Sequence, residues 1–163
     1  MPGAVETKES FLDPEQVWPA LEKCLRRSLE GLNHMRSREG LSLAADVADK
    51  LKRMGEQIKH IKVRAKVVLK EKQKELSVEE FQSFQKGCDI NEEMTRLAHY
   101  IDEVRRLLKS ATSVGKKIDF IAQEMQRETN TIGSKLQDKT VIQAVVALKS
   151  KIEKIREQAQ NIE

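Results

Sequence analysis

The sequence predicts an all-α fold, an elongated bundle of long antiparallel helices with coiled-coil-like heptad seams, and three observations carry that expectation. Of the 163 residues, 39% are hydrophobic and 34% charged but only 4% aromatic, a balance that leaves a sandwich or barrel without its aromatic and β-branched runs. Apolar residues recur in alternating steps of three and four, as they do where one helix packs along another. Between these runs stand helix-start signals, an N-cap residue with Glu or Gln three positions on.

Residues 1–13 carry no pattern and are expected to form a flexible N-terminus ahead of one helical domain, 14–163. Asp13-Pro14-Glu15-Gln16 combines a cap, a Pro at the first helical position and a Gln that can reach back. Val17, Leu21, Leu25, Leu29 and Leu32 then keep one face apolar. Arg38-Glu39-Gly40 is expected to interrupt that pattern. From there Val47, Leu51, Met54, Ile58, Ile61, Ala65 and Val68 make a heptad seam.

Ser77-Val78-Glu79-Glu80 reads as a capping box opening a short helix over Phe81 and Phe84 that closes at Gly87. This completes a long arm, 14–88. In the remaining segment, 89–163, Asp89 with Glu92 is expected to open a helix along Ile90, Met94, Leu97, Ile101, Val104 and Leu108. A loop over residues 110–115 leads to a helix with the stripe Ile121, Met125, Thr129, Ile132 and Leu136. Asp138 caps a last helix along Val145, Leu148, Ile152, Ile155, Ala159 and Ile162.

Cys24 and Cys88 are the only cysteines and lack the spacing of a disulfide framework or zinc site. No targeting pattern opens the chain and no apolar run has the length of a bilayer span, so a cytoplasmic protein with no membrane partner is expected. The balance of 30 basic against 26 acidic residues, +4, hides a local excess. Ten Lys or Arg stand between Lys50 and Lys74 against Glu56 and Glu71. Such a helix can line a nucleic-acid backbone, binding through neutralised phosphates and released counterions; it is equally the pattern of a solvated surface whose Lys stems cover a seam.

The densest polar constellation is QEMQRETNTIGSK, 123–135. Glu124 and Glu128 are one turn apart and face the same way, continued by Thr131 and Lys135, with Gln123, Arg127, Asn130 and Ser134 beside them. Two carboxylates at that spacing can hold a hard divalent cation, or one can act as a base; they can also be an exposed face laced by intrahelical salt bridges. A similar row runs along 89–99, where Glu92, Arg96 and His99 share a face and Glu93 adjoins it. His99 suits metal ligation or proton transfer, and equally an ordinary helical position. Gly133 costs about 1 kcal/mol against Ala inside a helix, which function or close packing must offset.

DINEEMTRLAHYIDEV, GKKIDFIAQEMQRETNTIGSK and the terminal LKSKIEKIREQAQNIE, in that order, resemble the C-terminal domain of the YicC/YloC family of bacterial endoribonucleases. The resemblance covers 89–163 and extends more loosely over Trp18 to Lys50, where MRSREGLSLAADV is similar to the family's Arg-x-x-Glu-Gly segment and places Arg36, Glu39 and Gly40 in it. It implies a metal-dependent enzyme cutting RNA internally, assembled as a ring-like homo-oligomer, without a small-molecule cofactor. The family's polar signature falls on Asp89, Glu92, Glu93, Arg96 and His99, on Gln123, Glu124, Arg127, Glu128, Asn130, Thr131, Ser134 and Lys135, and on the terminal Arg156, Glu157, Gln158, Gln160, Asn161 and Glu163.

Helical geometry and chemistry, rather than the resemblance, assign the individual roles. Glu93, Glu124 and Glu128 are expected to hold Mn²⁺ or Mg²⁺, His99 to move the proton, and Arg36, Arg96, Lys116, Lys117, Arg127, Asn130 and Lys135 to contact RNA. The family's N-terminal domain of mixed strands and helices is expected to be absent from this chain. Two readings therefore stand: an endoribonuclease, and a non-catalytic helical module that binds RNA or a protein helix.

Overall fold

The computed structural model describes residues 13–110 and 112–162, so the expected flexible stretch lies, apart from Asp13, outside the described residues, as does Glu163. All regular structure among them is helical: α1 (Pro14–Glu75), α2 (Val78–Gly87), α3 (Asn91–Leu107), α4 (Gly115–Lys135) and α5 (Lys139–Ala159). The all-α expectation holds. The chain divides into two units, residues 1–41 and 42–163.

In the first unit, α1 starts where the sequence places it, with Asp13 Oδ1 accepting from Glu15 N at 3.1 Å. The apolar face is present and uncovered: Val17, Leu21, Leu25, Leu29 and Leu32 are between 37% and 57% exposed. Gly40 does not interrupt the helix. α1 is continuous from Pro14 through Gly31, Gly40 and Gly55 to Glu75, because one glycine costs only about 1 kcal/mol and the neighbouring turns carry the backbone hydrogen bonds through.

In the second unit the seams are buried as expected. Val47, Leu51, Met54, Ile61, Leu97, Val104, Met125, Ile132, Leu148, Ile152 and Ile155 are essentially inaccessible and belong to one core. α4 packs against both α3 and α5. Two side-chain links tie α1 to α5 antiparallel to it: Arg64 to Asp138 near the start of α5, and Asp46 to Gln158 near its end.

Ends of helices follow their signals with one exception. Ser77 and Glu80 form the full capping box of α2, and Asp138 Oδ1 accepts from Thr140 N and Val141 N to cap α5. Asp89 is not the cap of α3. The helix begins at Asn91 with Ile90 in the cap position and no side-chain cap bond, while Asp89 Oδ1 accepts from the main chain and side-chain amides of Asn91 in a local turn. Gly133 is explained by packing: a methyl group there would lie 3.3 Å from Val145 Cγ1 of α5.

Candidate functional site

The two polar rows singled out in the sequence face each other. α3 and α4 each bury an apolar stripe in the common core, which turns Glu93 of α3 and Glu128 of α4 inward with their side chains 8% and 7% exposed. A carboxylate taken out of water needs a cation or hydrogen bonds, and each finds its cation on the opposite helix. Glu128 Oε1 accepts from Arg96 Nη1 at 3.0 Å. Glu93 Oε1 accepts from Lys135 Nζ at 2.7 Å, and the same ammonium donates to the Asp89 carbonyl at 3.0 Å.

The two links form a ladder across α3 and α4. Arg96 also pairs with Glu92 on its own helix. Glu128 and then Glu92 push the Arg96 guanidinium above its ordinary value, and Glu93 does the same for the Lys135 ammonium; both stay charged. One atom is left over. Glu93 Oε2 is buried and, among the described residues, has no hydrogen-bond partner, an arrangement that ordinarily costs about 1–3 kcal/mol and that a bound water, cation or hydroxyl would relieve.

The other expected site residues sit around this ladder. Glu124 is 22% exposed and lies 3.5 Å from exposed Arg127 on the same helix. His99 is exposed, its Nε2 3.7 Å from Glu103 Oε2, and among the described residues no hydrogen bond or ion pair joins it to Glu93, Glu124 or Glu128. Lys116, Lys117 and Asn130 are exposed on α4. Arg36 lies in the first unit. Among the described residues no three His, Cys, Asp or Glu side chains gather at metal-binding range; Glu93 and Glu128 are drawn to their own cations instead. Thr129 is fully buried and donates to the Met125 carbonyl at 2.7 Å, which is helix packing.

Sequence reasoning missed the pairs that fix the bundle's register. Arg64 holds Asp138 through Nε and Nη2, the latter at 2.8 Å, and Arg156 reaches Asp119 at 3.1 Å. The Arg64 guanidinium, aided by the Val141 and Thr140 amides, holds the Asp138 carboxyl below the usual carboxylate range. Arg64 stood in the sequence as one of ten basic residues, and Asp138 only as a cap. A pairing 74 positions apart leaves no spacing to read. Among the described residues no helix is long and apolar enough to cross a membrane, and both cysteines are free, with burial pushing the Cys88 thiol up.

Taken together, these features define a helical-bundle domain whose α3–α4 interface is laced by buried carboxylate–cation pairs. The second unit coincides with a match to the family described as Endoribonuclease YicC-like, C-terminal, over residues 42–163. The chain belongs to that family. It is 33% identical to a protein of Clostridioides difficile (strain 630) named "Probable endoribonuclease YicC". It is 30% identical to one of the same name from Haemophilus influenzae (strain ATCC 51907 / DSM 11121 / KW20 / Rd). Each comparison covers 99% of this chain, which spans 61% of the relative's length.

Proposed function

We propose that this chain is the helical part of an RNA-cleaving protein, cutting internal phosphodiester bonds with a divalent cation, Mn²⁺ or Mg²⁺. The reading rests on family membership, since both relatives carry the name probable endoribonuclease, and the family match falls on the unit that bears the ladder. RNA is then the substrate, and a homo-oligomer working in a soluble cytoplasmic setting is part of the same proposal.

The chemistry of the donors suits a hard cation. Glu93 offers a buried oxygen with no partner among the described residues, and Glu124 is the most accessible of the three glutamates. Mg²⁺ is commonly held by one or two carboxylates with substrate phosphate and water completing its shell, so one or two of Glu93, Glu124 and Glu128 would serve without forming a closed cage. The bound cation supplies charge stabilisation at the phosphate and a more acidic water. Arg96, Arg127 and Lys135 neutralise and orient the phosphodiester, and Lys116, Lys117, Asn130 and Arg36 extend the contact with the strand. His99, exposed and beside Glu103, moves the proton.

A second reading has its own support: the ladder already answers Glu93 and Glu128 with cations of this chain. On that reading the chain binds RNA without cutting it. Incubating a labelled hairpin RNA with the chain in Mn²⁺, in Mg²⁺ and in EDTA, beside Glu124→Ala/Glu128→Ala checked for retained helicity, separates the two. Internal cuts that need metal and vanish in the double variant support the enzyme. RNA bound but intact supports the binding module, and cutting that the variant retains removes the glutamates from the site.

A further inference from the structure

On the side of α3 away from that ladder, a groove runs between α1 and α3. Its main chamber is about 430 Å³, within the range of about 300–1,000 Å³ typical of small-ligand pockets. The groove exists because two small residues face it, Gly55 on α1 and Ala98 on α3. A side-chain carbon built on Gly55 meets nothing within 4 Å. The floor is apolar, made by Ile58, Met94, Ala98 and Ile101. A second chamber of about 250 Å³ shares Lys62, Asn91 and Met94 with the first and carries the groove on past Lys66.

Cations outnumber carboxylates on the lining, Lys59, Lys62, Lys66 and Arg105 against Asp89 and Asp102. Lys59 and Lys62 border the first chamber and Lys62 and Lys66 the second. All three are exposed, and among the described residues none forms an ion pair. Arg105 also lines the groove but spends its charge on Asp102 at 2.9 Å. This contrasts with Lys50, Arg53, Arg64 and Lys72 of the same helix, each paired with a carboxylate. At 1.5 Å of rise per residue, Lys59, Lys62 and Lys66 climb α1 in steps of about 4.5 and 6 Å, a row that can follow a run of phosphates.

We propose that this groove receives an unstacked nucleotide of single-stranded RNA, its base on the floor of Ile58, Met94, Ala98 and Ile101 and the flanking phosphates on Lys59, Lys62 and Lys66. The inference rests on the reading of this chain as RNA-acting and adds a place and a strand state to it. An apolar floor under a cationic rim asks for a ligand with a flat apolar face and anionic linkers, which an unpaired base on its backbone provides and a duplex, with its bases stacked inside, does not. A protein helix, about 10–12 Å across, would overfill the chamber.

The test measures binding of the full 163-residue chain to fluorescein-labelled oligouridylate and to a blunt RNA duplex by anisotropy, in EDTA so that cutting plays no part. The first carbon of a side chain at Gly55 meets nothing within 4 Å and Leu is the better helix former, so Gly55→Leu should occupy the groove while keeping the wild-type helicity, which circular dichroism checks. The variant should weaken oligouridylate binding about tenfold, the size of one lost base contact, and leave duplex binding unchanged. Lys59→Gln/Lys62→Gln/Lys66→Gln should flatten the slope of log affinity against log salt by about 2 for the single strand. Full oligouridylate affinity in both variants overturns the groove while leaving the RNA reading intact. A wild-type chain that binds neither RNA overturns both. Equal displacement by polyglutamate, with the same sensitivity to Gly55→Leu, assigns the groove to an acidic peptide and overturns the nucleotide.

Discussion

The two faces of α3 treat charge in opposite ways. Toward α4, Glu93 and Glu128 are buried and each is met by a cation from across the interface. Toward α1, an apolar floor is left open, and among the described residues the lysines beside it form no ion pair. Charges answered within the chain fix how helices sit, and taking one partner away exposes the desolvation cost of the other. Charges left unanswered on a rim contribute almost nothing to folding and are available to a ligand.

The largest effect expected from breaking this contrast is on the ladder side. Arg96→Met leaves the Glu128 carboxylate buried without its cation, which costs up to about 3–5 kcal/mol for a fully enclosed pair. Because Arg96 is 54% exposed and water can reach the vacated position, about 1–3 kcal/mol is expected in urea denaturation. A loss under about 0.5 kcal/mol would mean that the ladder is ornamental.

A smaller effect belongs to the one basic residue of the 50–74 stretch that crosses to α5. Asp138→Asn keeps a residue able to cap α5 but weakens the grip of Arg64, at about 1 kcal/mol. Since Arg64 holds the Asp138 carboxyl low, its stabilisation is complete above the ordinary carboxylate value of about 3.9 and disappears as pH falls through the lowered one. Wild type should therefore lose more stability than Asp138→Asn on acidification below about pH 4; parallel curves would refute the pairing. The smallest effect is on the groove side, where Lys59→Gln/Lys62→Gln/Lys66→Gln should leave thermal unfolding within about 0.5 kcal/mol of wild type. A larger change would show that those lysines do serve the fold.

Much of the fold was legible because burial follows period. Spacing alone assigns to seams the apolar positions from Val47 to Val68, Ile90 to Leu108 and Val145 to Ile162 named above, and all of these belong to or pack against the core. Spacing does not name the partner, however. The stripe from Val17 to Leu32 has the same apolar recurrence and is exposed. Spacing also leaves open whether Gly40 is a bend in a continuous helix or an end; a penalty of about 1 kcal/mol per residue does not stop a helix of 62 residues.

The site was legible as a set of residues and not as a set of contacts. Helical rows place Glu124 and Glu128 together, yet packing turns Glu128 into the α3 interface and leaves Glu124 near the surface. Glu93 meets Lys135 across 42 positions, which no local rule anticipates. The groove needed Gly55 and Ala98 to come opposite each other, a coincidence of two helices that only their packing reveals.

Gly115 shows how unevenly the chain tolerates change. It begins α4 pressed against the last turn of α5, where the first carbon of any side chain would collide with the carbonyl oxygens of Ala159 and Ile162. Those oxygens are main-chain atoms and have no rotamer to retreat into. Gly31, Gly40, Gly55 and Gly87 meet nothing when a carbon is added. In a library of random substitutions selected for folding alone, those four glycines should drift freely toward alanine while position 115 stays fixed, so that sequence variation alone would trace where the end of one helix closes on the start of another.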